Sequence, residues 1–273
     1  MTENGPDLQA VTQIQQKVWS EGDFAKIGNR AQIVGERLCE AVEVIPGERV
    51  LDVACGSGNG ALAAARRFCE AVGMDYVPEL LANGRERADA EGLKVEFVEG
   101  DAQALPFEDA SFDVVLSSFG AMFAPDQSKT AAELLRVLNA GGRVGMANWT
   151  PEGLVGGGLF AVIAKHAPPP PGIEPASRWG TEERLRELFG DRISELRAER
   201  RTFNFRFRSP EHWLEYFRTY FGPMMMAFAR VGEDGAAALE ADLLEMMRAH
   251  NRAGDRALVA PSEYLEVVAT RAS

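Results

Sequence analysis

Only three cysteines occur in 273 residues, Cys39, Cys55 and Cys69, and none forms a C-x-x-C pair. That leaves no disulfide framework and no structural zinc site, and reads as a reduced, cytoplasmic chain. Histidine is equally scarce, with His166, His212 and His250. No apolar run approaches the roughly 18 residues that cross a bilayer, so no stable membrane insertion is expected. The opening MTENGPDLQA has neither the basic nor the apolar stretch of a secretory signal. Basic residues are in deficit, 29 Lys plus Arg against 41 Asp plus Glu, and the net charge of −12 disfavours nucleic acid and anionic membranes as general partners. There is no internal repeat, and low complexity is confined to the run from Pro168 to Pro171. What remains is ordinary globular composition, 46% hydrophobic and 26% charged. The length is roughly 1.8 times a typical domain, so one large domain or one domain with an insertion is expected.

Apolar positions at helical spacing mark two N-terminal helices, residues 8–21 and 27–43, separated by Gly22-Asp23. From Arg49 onward short apolar runs alternate with helical patterns. Strands are expected at 49–54, 71–75, 95–99, 112–117 and 143–148, with helices at 61–71, 78–90 and 129–138. The last of these helices is expected to stop at Gly141-Gly142 as a C-cap. This alternation implies an α/β fold with a parallel sheet covered on both faces. After Trp149 the pattern changes to Gly156-Gly157-Gly158 and the proline run, then a helix at 181–188 capped by Thr181. A strand over 193–207, a helix opening at Ser209-Pro210-Glu211, a helix over 236–253 and a final strand over 264–270 complete the reading. We expect a single unit, with a sheet core of about 35–150, 180–207 and 261–273 and a helical cover of about 1–34, 151–178 and 208–258.

The most informative stretch is Val50-Leu51-Asp52-Val53-Ala54-Cys55-Gly56-Ser57-Gly58-Asn59-Gly60. A strand runs into a glycine turn that opens a helix, the place where open α/β sheets bind ligands. The helix start offers free N–H groups to that ligand. The spacing is G-x-G-x-G, not the G-x-G-x-x-G of dinucleotide sites, and no Gly-Lys-Ser/Thr follows. Asp52, just ahead of the loop, sits awkwardly beside a pyrophosphate but suits a cationic or zwitterionic ligand. Asp75 closes the second strand, 17 positions after Gly58, where an acid can accept both ribose hydroxyls. Asp101, in Gly100-Asp101-Ala102-Gln103, follows the third strand, where a carboxylate can accept from an adenine amino group. Each acid alone is equally a turn or cap residue. Their joint occurrence beside this loop is the specific signal.

VLDVACGSGNG, GMDYVPELL, VEGDAQALPFEDASFDVVLSSFGAMFAPD and AGGRVGMANW together resemble the successive motifs of class I S-adenosylmethionine-dependent methyltransferases. The type 11 domain, similar to the ubiquinone and menaquinone C-methyltransferases, is nearest. The resemblance covers residues 49–150 and is weak in the flanks. It implies a Rossmann-like, doubly wound seven-stranded sheet whose last strand is antiparallel. It also implies S-adenosyl-L-methionine as cofactor, with S-adenosyl-L-homocysteine as product. On that resemblance Asp52, Ala54, Gly56, Ser57 and Gly58 belong to the methionine side. Asp75 would hold the ribose, Tyr76 would flank the adenine, Asp101, Ala102 and Gln103 would meet its rim, and Ser118 would lie near the amino-acid moiety. One departure is Asn139-Ala140 before the glycine pair, where the family usually has proline.

A sulfonium methyl is already activated, so transfer needs alignment and a dry site. A base is needed only if the nucleophile must lose a proton. His212, in the first turn of its helix, is the candidate base, although each histidine is more often a surface or packing residue. Phe24, Phe119, Met122, Phe123 and Trp149, with Tyr216 and Tyr220 on one helix face, are the candidate walls of an acceptor pocket. They equally suit packing of the helical cover onto the sheet. Taken as a pocket, they favour a small aromatic or lipid-like acceptor. No metal is expected, and the state is a monomer or homodimer. The competing functions are a NAD-dependent oxidoreductase, a non-catalytic S-adenosylmethionine-binding protein and, against the charge, a nucleic-acid methylase.

Overall fold

A computed structural model describes residues 6–273; residues 1–5, the start of the expected cover, lie outside the described residues. Short apolar runs ended by glycine or acid become five parallel strands, β1 (Arg49–Val53), β2 (Glu70–Asp75), β3 (Val95–Glu99), β4 (Phe112–Ser118) and β5 (Leu138–Trp149). Two later strands, β6 (Ile193–Phe207) and β7 (Leu258–Arg271), complete one sheet of order β3-β2-β1-β4-β5-β7-β6. β7 runs antiparallel to both of its neighbours. The order reverses between β1 and β4, which opens a crevice at their carboxyl ends.

The helices follow their local signals. Asp7 caps α1 (Leu8–Ser20) by accepting from the N–H groups of Gln9 and Ala10 at 3.1 Å. A short α2 (Phe24–Gly28) and α3 (Gln32–Ala41) follow. Gly58, at φ +82°, turns the chain into α4 (Asn59–Arg66), and Pro78 starts α5 (Pro78–Glu91), which ends on left-handed Gly92. Then come α6 (Gln127–Arg136), α7 (Phe160–His166) and α8 (Glu182–Phe189), the last capped by Thr181. Ser209 caps α9 (Pro210–Tyr220). A long α10 (Gly222–Ala249) leads back to β7.

Several elements differ from the sequence expectation: the helix expected over 27–43 is divided into α2, a 3-10 turn at Asn29–Ala31 and α3, and the one expected over 61–71 is α4, which ends at Arg66. Gly141-Gly142 is not a helix cap, because α6 stops at Arg136. The β4–β5 pairing jumps from Phe112–Leu138 to Val114–Arg143, and the glycines lie in the bulge this leaves. The helix expected from residue 236 begins at Gly222 and is kinked at Gly232, whose φ is +66°. β7 begins at Leu258, six residues before its expected start at 264, because Phe207 to Phe203 on β6 pair with Leu258 to Ser262. Hydrophobic periodicity does not show where tertiary pairing extends a strand.

Two cores result. The larger one surrounds the sheet and includes Leu51, Met74, Leu116 and Trp179. A second lies between the end of β6, α9 and α10, with Trp213, Phe217 and Met224. The helices α3 and α4 meet closely at Gly35, where an added Cβ would stand 2.7 Å from the Asn59 carbonyl oxygen. Gly35→Val should destabilise the protein by about 1–3 kcal/mol, the usual cost of overpacking. Urea unfolding checks this, and an unchanged midpoint would contradict such close backbone packing.

Candidate active site

The glycine turn after β1 is built by its backbone. The Cys55 N–H donates to the Met74 carbonyl at 2.9 Å, and the Gly58 N–H donates to the Cys55 carbonyl at 2.9 Å. Gly56 and Gly58 take φ of +56° and +82°, conformations that glycine adopts without strain. Gly120, just beyond β4, presses against this turn; a Cβ there would lie 2.3 Å from the Ala54 carbonyl oxygen. Beneath it Arg87 of α5 donates through Nη1 to the Ser57 carbonyl at 2.6 Å and to Asn59 Oδ1 at 2.9 Å.

Asp75 joins the turn to the end of β2. One carboxylate oxygen accepts from the Gly56 N–H at 2.8 Å and the other from the Val77 N–H at 3.0 Å. Burial raises its pKa from 3.8 to about 6 against the lowering effect of those N–H groups. Its carboxyl lies on the wall of a cavity along the crevice, where further lone pairs remain for a ligand. Asp101 is on the same wall and accepts from the Gln103 N–H at 2.9 Å and from Gln103 Nε2 at 3.1 Å. Gln103 Nε2 also donates to Thr12 Oγ1 at 3.0 Å.

The cavity brings together Ala54, Gly56, Ser57, Asp75, Tyr76, Asp101, Ala102, Gln103 and Ser118. Phe24, Phe119, Phe123 and Trp149 are on the same lining; the Phe119 and Trp149 rings are stacked 3.8 Å apart at 3°, and Phe24 lies over the turn, 3.9 Å from where a Cβ on Gly56 would stand. The expected cofactor and acceptor groups therefore share one space. Helices α1 and α2, with the turn at Asn29–Ala31, close over it through hydrogen bonds to the motif loops. Gln16 Nε2 donates to the Tyr76 carbonyl at 2.6 Å, Ser57 Oγ to Asn29 Oδ1 at 2.6 Å, and Asn59 Nδ2 to the Gly28 carbonyl at 2.8 Å.

Six expected residues lie elsewhere. Asp52 is 1% exposed and sits under the turn, where one oxygen accepts from the Ala61 N–H at 2.9 Å and the other has no hydrogen-bond partner. It anchors the start of α4 instead of facing a ligand, and burial pushes its pKa up to about 7. Gly58 shapes the turn from behind. Met122 is buried in the main core. His212 is off the cavity wall, packed against Phe207 and Tyr216, and its Nδ1 accepts from the Arg208 N–H at 3.2 Å. Tyr216 and Tyr220 are also off the wall; the Tyr216 hydroxyl donates to the Lys26 carbonyl at 3.1 Å. The helix was read one face out: Phe217 and Phe221 line the cavity instead. Periodicity groups residues into faces, but it does not say which face meets the sheet.

The sequence reading also missed Arg30, the only cation among the lining residues. Its guanidinium stacks 4.5 Å from the Tyr216 ring centre and has no carboxylate partner among the described residues. Phe203 and Phe205 were read as strand alternation, and only the β6–β7 hairpin shows that they reach the cavity. Among the described residues no cluster of three or more His, Cys, Asp or Glu could hold a metal. No helix among them is long and apolar enough to cross a membrane.

Comparison with known proteins decides the family. Residues 50–142 match the family model described as a methyltransferase domain. An uncharacterized protein of Mycobacterium tuberculosis (strain ATCC 25618 / H37Rv) is 36% identical over 247 residues, covering 89% of this chain and 90% of its own. The demethylmenaquinone methyltransferase of Thermus thermophilus is 44% identical over 113 residues, 41% of this chain and 51% of that protein. The chain belongs to the class I S-adenosylmethionine-dependent methyltransferases. The solved YcgJ protein from Bacillus subtilis shares the fold, with a TM-score of 0.62 at 19% identity over 88% of this chain and 98% of its own. This methyltransferase uses S-adenosylmethionine, and the crevice fits it: a buried carboxylate with free lone pairs suits a ribose diol, and glycine backbone permits close approach.

Asp75→Ala should weaken S-adenosylhomocysteine binding by about 1.5–3 kcal/mol, the scale of hydrogen bonds to a charged group. The pH dependence follows from the raised pKa. In the free protein Asp75 keeps a proton between about 4 and about 6 that the unfolded chain has lost, so its contribution to stability is present below about 4 and lost as pH rises through about 6. Ligand affinity runs the opposite way, because the ionised carboxylate accepts best. Calorimetric titration should show affinity falling as pH drops through about 6 in the native protein and a flatter profile in Asp75→Asn. An unchanged dissociation constant in Asp75→Ala would contradict the ribose role.

Proposed function

We propose that this methyltransferase transfers a methyl group to a small aromatic or lipid-like acceptor by in-line displacement. The observation that carries the reading is the lining of one cavity, which joins backbone and carboxylates at the strand ends to a set of aromatic rings. S-adenosylmethionine, when bound, supplies a methyl group already activated by its sulfonium. Asp75 accepts from the ribose hydroxyls. Asp101 and the Ala102 main chain meet the adenine, beside the Tyr76 ring. Arg30, whose donors meet no carboxylate among the described residues, suits the carboxylate at the amino-acid end. The stacked Phe119 and Trp149 rings, with Phe203 and Phe205 from β6, hold a flat apolar body and keep water out. Orientation of that body toward the methyl group is the main catalytic contribution, an effect worth several kcal/mol. The protein acts as a monomer or homodimer in the cytoplasm, on a small molecule and not on nucleic acid.

A labelled-methyl screen of quinols, phenols and polyketides tests the reading. Label should appear in flat apolar acceptors. Phe203→Ala should raise KM for such an acceptor about tenfold, roughly 1.4 kcal/mol, and leave S-adenosylhomocysteine affinity unchanged. Transfer to sugars or polar amines, or NAD binding in place of S-adenosylhomocysteine binding, would contradict it.

A further inference from the structure

Among the described residues, the aromatic rings that line the cavity are accompanied by no group that could take a proton. Phe119, Phe123, Trp149, Phe160, Phe203 and Phe205 present only hydrocarbon and an indole, which donates but does not accept. The ionisable side chains on the described lining are Cys55, Asp75, Tyr76 and Asp101, at the turn and the strand ends, and Arg30, a guanidinium that is always protonated and lies over the Tyr216 ring. Asp75 closes β2 and Asp101 follows β3, where the proposed function commits them to the ribose and the adenine. Cys55 Sγ faces the Gly56 carbonyl at 3.4 Å. Behind the wall, Tyr264 is fully buried with its hydroxyl toward Arg37 at 3.4 Å, Glu266 faces Arg201 at 3.2 Å, and Asp52 lies under the turn. Asp23 and His212, on the cover, are off the lining.

We propose that the acceptor ionises on its own and enters the cavity as an anion, the conjugate base of an apolar thiol or of an acidic phenol or enol, with no base supplied by the enzyme. This rests on the reading of the cavity as the methyl-transfer site. The acceptor's proton leaves to solvent before binding. A lone pair of the acceptor then forms the bond to the methyl carbon, the carbon–sulfur bond breaks, and its electron pair stays on sulfur. An anion meeting a sulfonium cancels charge, so a wall that solvates charge poorly favours the transition state over the separated ions. A neutral alcohol would instead leave a protonated ether with nothing nearby to accept its proton. General-base assistance contributes about 10²–10⁴-fold where it exists, and an acceptor that needs it is poorly served here.

Three probes with one ring system separate the cases: 2-naphthalenethiol, 2-naphthol and 2-naphthylmethanol, in falling order of acidity. Binding is read by quenching of tryptophan fluorescence in the S-adenosylhomocysteine complex, and turnover by labelled-methyl transfer at saturating S-adenosylmethionine across pH. All three should bind within a few-fold of one another, because the walls meet the same rings. Turnover should follow the order of acidity, with the alcohol slower by at least about a thousandfold. The pH of half-maximal kcat should move from thiol to naphthol by the difference in their own pKa values. An inflection at one fixed pH for both, or an alcohol methylated as fast as the thiol, would overturn the proposal. So would probes that bind and are not methylated at any pH. Failure of S-adenosylhomocysteine itself to bind would strike the proposed function, a separate outcome in the same titration.

Discussion

The carboxylate of Asp75 accepts from two main-chain N–H groups that belong to different segments, Gly56 in the turn after β1 and Val77 at the start of α5. Those two bonds hold the glycine turn against the end of β2 and aim the carboxylate along the crevice. They add to the backbone bonds from Cys55 to Met74 and from Gly58 to Cys55 that shape the turn. Arg87 supports the same turn from below through Ser57 and Asn59, and Asp52 anchors the helix behind it. The ligand-binding surface is thus a layer of backbone fixed from three sides by buried or half-buried charge.

The N-terminal helices of the cover are hydrogen-bonded to this layer, while its later part is held to the sheet, where the Val155 N–H donates to Ser262 Oγ at 3.1 Å. Gln16, Asn29 and the Gly28 carbonyl meet Tyr76, Ser57 and Asn59, all residues of the motif loops. Trp19, Phe24 and Phe221 pack ring to ring over the aromatic lining. Polar contacts therefore close the cavity over the motif loops, and apolar contacts close it over its aromatic lining. Water exclusion, the condition that makes a sulfonium productive, is distributed over both.

Most of the fold was legible in the amino-acid sequence because glycine, proline and acids punctuate it locally. Pro78 and Gly92 bound α5, Thr181 and Ser209 cap their helices, and β1 to β5 follow short apolar runs. The turn and the strand-end acids Asp75 and Asp101 were legible for the same reason: strand ends are local. What depends on tertiary pairing was not. The start of β7, the bulge that holds Gly141 and Gly142, and the face of α9 that turns inward are set by partners distant in sequence. Asp52 shows the limit most clearly. Its position beside the turn was read correctly, but a strand residue next to a loop can face the ligand or the helix behind it, and only packing decides. Arg30 carried no sequence signal, since a lone arginine in a helix is usually a solvated one.

The central claim is that the ends of β1, β2 and β3 hold the adenosyl group of S-adenosylmethionine. A crystal structure of the complex with S-adenosylhomocysteine tests it most directly. The account requires both ribose hydroxyls within hydrogen-bond distance of the Asp75 carboxylate, with the adenine between Tyr76 and the Asp101–Ala102 edge. A ligand seated among the aromatic rings, or a ribose away from Asp75, would contradict it.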